Sequence, residues 1–195
     1  MVPPRCGDRI HNTLLGLCVI LPSLHLVGLP HSFDANILNV LALDSIMDLI
    51  LWRHAEAEDG MPDSARELTK RGRKQAAQIG AWLKQRLPAD CAILVSPSRR
   101  TQQTADALGL PYETAKRVGT GAAPVEILAA AGWPEQEGTV LVVGHQPTLG
   151  GVAALILCGE ESGWTIKKGA VWWLSCRAHH GGDIVLRAVV GPDLV

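Results

Sequence analysis

The sequence predicts an α/β fold of three layers, a mostly parallel sheet with helices on both faces. From residue 47 to the C-terminus, short apolar runs alternate with segments of helical period, the rhythm that builds parallel sheets through crossover helices. The runs are nearly continuous rather than alternating, as expected of strands covered on both sides. With 195 residues and a hydrophobic fraction of 47%, the chain can bury a full core.

The first 46 residues stand apart. The chain has 18 Lys and Arg and 19 Asp and Glu, yet this segment holds only Arg5, Asp8, Arg9, Asp34 and Asp44. Its apolar stretch, 13–30, contains Pro22 and His25 and ends at Pro30. A central proline breaks a helix, and spanning a bilayer takes about 20 apolar residues. The stretch also exceeds the roughly 7–15 residues of a signal peptide's apolar region, and no small-residue cleavage site follows it. Residues 1–46 therefore read as an extension outside the functional domain 47–195, with Met47 a candidate start. The alternative is an export signal or membrane anchor.

The elements follow in order. MDLILW (47–52) is a short buried strand. Residues 68–87 form a helix, with Thr69 as its cap, Ala76, Ile79, Leu83 and Leu87 on one face, and Pro88 as its stop. CAILVSP (91–97) is a second strand and 98–110 a short helix ending near Gly109. YETAKRV (112–118) is a more polar strand, and 123–133 a third helix. TVLVVGH (139–145) is the most pronounced strand, followed by a helix over 147–159 with Pro147 in its first turn. AVWWLSCR (170–177) and DIVLRAVV (183–190) close the domain as antiparallel neighbours through an HHGG turn. The six tryptophans read mostly as core. Lys70, Arg71, Arg73 and Lys74 read as a solvated helix face that could attract an acidic partner.

Composition narrows function. A formal net charge of −1 gives no bulk attraction for nucleic acid. Cys6, Cys18, Cys91, Cys158 and Cys176 are dispersed, with no CxxC pair, which favours reduced thiols and a cytoplasmic location.

Chemistry gathers at strand ends. The strand 47–52 runs into Arg53-His54, the strand 91–97 into Ser98-Arg99-Arg100, and the strand 139–145 ends in His145, followed by Gln146-Pro147. Open α/β sheets bind ligands outside the carboxyl ends of their strands. Arginine presents a planar fork suited to phosphate oxygens. A histidine among arginines should be held uncharged by like charge, and a neutral imidazole is a nucleophile. The set suits an imidazole attacking phosphorus while cations neutralise the transferred group. His179 and His180 read as solvent-exposed, and His11, His25 and His31 receive no role.

These residues carry a resemblance. Arg53-His54-Ala55, then Leu68-Thr69 with Gly72 and Gln75-Ala76, Ser96-Pro97 with Arg100 and Gln103-Thr104-Ala105, and Gly144-His145 with Pro147 resemble, in order, four motifs of the histidine phosphatase superfamily (phosphoglycerate-mutase-like). Ala55 departs from the glycine of that signature, as in the branch of small SixA-like phosphohistidine phosphatases. The resemblance implies a phosphoryl-accepting His54, with Arg53, Arg100 and His145 around the phosphate. Arg99 matches no motif position. Glu56, Glu58, Asp63 and Glu126 remain open as the general acid.

Without a strong acid, a site can still release imidazole, which titrates near pH 6.5, but is handicapped with alkoxides. The short chain leaves little sequence for a lid. The expectation is a phosphatase for phosphohistidine on a signalling protein, its partner by resemblance a phosphotransfer domain. The alternatives are a small-molecule phosphomonoesterase or mutase of the same fold, and a non-catalytic phosphate-binding module. No metal or other cofactor is expected, since His54 and His145 lack a carboxylate or cysteine at ligand spacing and arginines repel a cation.

Overall fold

The structure is a computed structural model and describes residues 46–177 and 183–195. The segment 1–45 and the His179-His180 turn lie outside the described residues.

Six strands form one sheet: β1 (Ile46–Arg53), β2 (Ala92–Val95), β3 (Glu113–Thr114), β4 (Gly138–Gly144), β5 (Val171–Arg177) and β6 (Asp183–Val190). Their order is β3-β2-β4-β1-β5-β6. β1, β2, β3 and β4 pair in parallel, whereas β5 runs antiparallel to both β1 and β6. Four helices occur among the described residues: α1 (Lys70–Lys84), α2 (Arg99–Asp106), α3 (Pro124–Ala131) and α4 (Thr148–Cys158). None of them is long and apolar enough to cross a membrane.

β1 shows why its sequence is a continuous apolar run. Met47, Leu49 and Leu51 join the core beneath α3 and α4. Ile50 and Trp52 point the other way, into the core shared with Ile79 and Leu83 of α1. Successive side chains of a strand alternate between faces, so a strand with two covered faces can expose neither set. Asp48 is the exception within the run. It is buried, accepts a hydrogen bond from Ser175 Oγ and pairs with Arg187 Nη1 at 2.7 Å, so its charge is compensated.

Several boundaries differ from the sequence reading. Thr69 caps α1 as expected, its Oγ1 accepting from the Gly72 N–H at 2.8 Å, but the helix ends at Lys84. Pro88 disfavours helical geometry in the residue before it, and the last turn loosens ahead of it. α2 stops at Asp106, short of the expected 110, and the chain turns through Gly109 at φ 63°. Of the strand expected over 112–118, only Glu113–Thr114 joins the sheet, because its sole partner β2 is four residues long. Lys116–Val118 then form a 3-10 turn that redirects the chain toward α3. Pro147 sits one position before the first turn of α4. Of the tryptophans, Trp52 and Trp173 are buried, while Trp82, Trp133, Trp164 and Trp172 are half-buried against the core.

The topology creates one crevice. β1 and β4 are parallel neighbours in register, Arg53 opposite Gly144. The chain leaves β1 for α1 on one face and leaves β4 for α4 on the other. Adjacent strands whose connections depart to opposite sides leave a gap at their carboxyl ends, where open α/β sheets bind ligands.

Candidate active site

His54 and His145 are the first residues beyond the paired ends of β1 and β4, and both are buried. The His54 N–H donates to the Gly144 carbonyl at 3.1 Å, and the two rings lie 5.4 Å apart, tilted by 58°. Arg100, from the first turn of α2, bridges them. Its Nε donates to His54 Nε2 at 3.3 Å and its Nη2 to His145 Nδ1 at 3.3 Å. Arg53 lies half-exposed at the rim, its Nη1 donating to the Ile166 carbonyl at 2.7 Å. Its Nε is buried and makes no hydrogen bond among the described residues.

The hydrogen bonds fix both tautomers. His54 Nδ1 lies 2.7 Å from the Ala55 carbonyl, and a carbonyl only accepts. Nδ1 therefore carries the proton and Nε2 presents its lone pair toward Arg100. At His145 the order reverses. Nδ1 accepts from Arg100, so Nε2 donates to Ser96 Oγ at 2.7 Å, with Thr120 Oγ1 at 3.2 Å. Both imidazoles are neutral at ordinary pH. Burial pulls His54 down to about 3 and His145 to about 4, and the neighbouring cationic groups add to the shift. Sequence reasoning assigned the effect to like charge, whereas burial is the larger cause.

The remaining motif residues hold the loop after His54 in place. Thr104 Oγ1 accepts from the Ala55 N–H at 3.1 Å and Gln75 Oε1 from the Glu56 N–H at 3.0 Å. Gln103 Oε1 accepts from the Leu68 N–H at 2.7 Å. At Gly72 a side chain would collide with the Glu56 carbonyl, so only glycine lets α1 approach the loop this closely. Ser96 and Thr120 were not singled out for the site. Ser96 lay in a matched motif, while Thr120 had no local signal.

Of the four carboxylates left open as the acid, Asp63 alone touches the cluster. Its Oδ2 accepts from Arg100 Nη2 at 3.0 Å and its backbone carbonyl from Arg100 Nη1 at 2.7 Å. Arg66 and then Arg100 hold its carboxyl below the usual range, so it is ionised and accepts rather than donates. Glu56 accepts from Thr69 Oγ1 at 2.9 Å, Glu126 from the N–H of Ala123, the cap residue of its own helix, at 2.7 Å, and Glu58 is exposed. Arg99, also exposed, lies near Glu67 at 3.6 Å.

Two hollows flank the cluster. One, of about 630 Å3, runs from His145 past Thr120, Pro124 and Thr148 to Glu161, a carboxylate that sequence reasoning passed over. The other, of about 600 Å3, opens beside Arg53. Among the described residues no group of three or more His, Cys, Asp and Glu is placed to hold a metal ion.

Comparison with known proteins places the fold. Residues 49–121 match the profile of the histidine phosphatase superfamily (branch 1). An uncharacterized protein of Mycobacterium tuberculosis is 38% identical over 111 residues, which cover 53% of this chain and 68% of that protein. Among solved structures, a candidate SixA phosphohistidine phosphatase from Nakamurella multipartita superposes with TM-score 0.62 at 30% identity, over 75% of this chain and 96% of that one. The protein histidine phosphatase SixA complexed with tungstate superposes with TM-score 0.63 at 26% identity, over 75% and 98%.

Proposed function

The chain belongs to the histidine phosphatase superfamily, and we propose that it removes phosphoryl groups from phosphohistidine on a signalling protein, a phosphotransfer domain being the natural partner. The observation that carries this reading is a neutral, buried His54 whose unprotonated Nε2 faces Arg100, while Asp63, the carboxylate paired with that arginine, is ionised.

In the first step His54 Nε2 attacks phosphorus. An N–P bond forms at His54 as the N–P bond to the substrate's imidazole breaks; that imidazole, protonated at its other ring nitrogen, departs neutral with the bonding electron pair, while His54 keeps its Nδ1 proton. Bond made and bond broken are alike, so the transfer is close to balanced without an acid. An ester would exchange a P–O bond for a P–N bond and expel an alkoxide needing a proton. Arg100 and Arg53 supply the positive charge that would neutralise the phosphoryl oxygens, with His145 holding the Arg100 guanidinium beside them. A similar protein, the histidine phosphatase SixA, has been solved in complex with the oxyanion tungstate, which supports an oxyanion as ligand. In the second step water attacks phosphorus, the His54–phosphorus bond breaks, and inorganic phosphate leaves.

The test combines trapping with a substrate panel. Brief exposure to a phosphohistidine protein should leave an acid-labile, base-stable phosphoryl group on His54, and His54→Ala should abolish both label and turnover. Phosphohistidine should outrun sugar phosphates in kcat/KM. The 630 Å3 hollow and Glu161 favour one second reading, a small-molecule phosphomonoesterase with Glu161 as proton donor. Preference for sugar phosphates, lost in Glu161→Gln, would install that reading instead. Phosphate binding with neither label on His54 nor hydrolysis of any substrate would indicate a binding module.

A further inference from the structure

The second hollow is a basic cleft. Arg53, Arg71, Lys74, Lys167 and Lys168 line it against two carboxylates, Glu56 and Asp193. Arg71 lies 3.7 Å from Glu56. Among the described residues no carboxylate is within ion-pair distance of Lys74, Lys167 or Lys168. All three lysines are exposed.

Local stability does not account for these charges. Lys70, Arg71, Arg73 and Lys74 open α1, whose first turn contains no acidic residue. A helix N-terminus carries partial positive charge and favours anions, so the cations stand where the helix itself would reject them. Glu56 and Glu67 offset Arg71 and Arg73, whereas Lys74 has no such partner among the described residues, and a charge that breaks a local rule without compensation is expected to do so for function. Lys167 and Lys168 bring charge to the same cleft from the loop before β5. That loop is fixed at its base, where Ile166 O accepts from Arg53 and the Gly169 N–H donates to the His54 carbonyl at 3.0 Å. The cleft is thereby tied to the reactive histidine on one side, and the buried orphan Nε of Arg53 lies at their junction.

We propose that this cleft docks an acidic segment of the protein substrate beside the phosphohistidine, so that Arg71, Lys74, Lys167 and Lys168 select and steer the partner while Arg53 meets the phosphoryl group. This deepens the phosphohistidine reading and rests on it for the identity of the bound protein. A single small anion would need convergent, buried, often bidentate donors. Here the ammonium groups are exposed and spread over two elements, an arrangement that suits several carboxylates along a polypeptide and accelerates encounter over a distance.

The experiment measures binding of fluorescein-labelled poly-L-glutamate to the full chain by anisotropy, which requires no turnover. Lys74→Glu with Lys168→Glu is compared with a control of equal charge change outside the cleft, Lys84→Glu with Lys116→Glu. The wild type should bind, more weakly as salt rises. The cleft pair should weaken binding about tenfold or more, and the control less than about twofold. The milder Lys74→Ala with Lys168→Ala should move binding the same way. In a second arm, the cleft pair should lower kcat/KM on a phosphohistidine protein while hydrolysis of phosphoramidate stays near the wild-type rate. No wild-type binding, equal loss in both charge-reversed pairs, or equal loss on protein and phosphoramidate would overturn the proposal. Cleft-dependent binding without any phosphohistidine turnover would leave the docking cleft standing and remove the substrate reading.

Discussion

Arg100 is the residue on which the site turns, and without an oxyanion each end of its guanidinium already has a partner: His54 at Nε, the Asp63 carbonyl at Nη1, and the Asp63 carboxylate with His145 at Nη2. The Asp63 carboxylate therefore stands where a phosphoryl oxygen would compete for the same N–H, and its charge opposes that oxygen. Asp63→Asn should strengthen inhibition by vanadate or inorganic phosphate about fivefold, the scale of one partly exposed ion pair. An unchanged or raised inhibition constant would show that Asp63 does not compete. Ser96 acts one bond further out. As the acceptor for His145 Nε2–H at 2.7 Å, it keeps the opposite nitrogen turned toward Arg100. In Ser96→Ala the Nε2 of that ring retains only Thr120 at 3.2 Å and Ser98 at 3.5 Å. Loss of about 1–2 kcal/mol of orientation should appear as a fall in kcat, with a changed tautomer signature for His145 in nitrogen-15 NMR, whereas a merely structural serine would leave that signature intact.

At the scale of elements, a loop between β1 and α1 is held by side chains from two helices, and glycine sets how closely α1 can approach. Gly72→Ala would drive a methyl into the Glu56 carbonyl, which also accepts from the Thr69 N–H at 3.0 Å. Overpacking of this kind costs about 1–3 kcal/mol, and because the loop begins at His54, urea unfolding and kcat should both decline. Gly163→Ala, with open space around it, should stay within about 0.5 kcal/mol. The same contrast explains what the sequence disclosed. The strands, their alternation with helices and the ends bearing Arg53, Arg100 and His145 were legible because residue type and local period determine them. Three contacts were not: Asp63 on Arg100, Ser96 on His145, and Asp48 with Ser175 and Arg187. Each joins residues distant in the chain, and no local pattern distinguishes a carboxylate that reaches the site from Glu58, which does not. The burial that lowers both imidazoles was equally hidden, since it depends on how the sheet and helices close around them.

For the whole molecule, that burial couples catalysis to stability. In the unfolded chain a histidine takes up its proton near pH 6.5. In the folded protein His54 waits until about 3 and His145 until about 4. Between these limits the unfolded chain binds more protons than the folded one, so falling pH favours unfolding, by up to about 1.4 kcal/mol per pH unit for each histidine. Stability should be full above pH 6.5 and decline steadily toward pH 4. Below that, Asp63 and Glu67, whose carboxyls are also held low, lose contributions of the same sign, muted by their exposure. Denaturant unfolding between pH 4.5 and 7 measures the slope. His54→Asn and His145→Asn should each flatten it, and the double variant should retain only what the other titrating groups supply. An equal slope in wild type and double variant would mean that the two imidazoles are not kept neutral by the fold. Saturating tungstate supplies the complementary case: an oxyanion beside His145 favours its protonated form, raises its folded pKa and narrows the gap to the unfolded chain. The acid slope should therefore diminish when the site is filled, because the burial that keeps His54 an uncharged nucleophile is also what costs the protein its stability in acid.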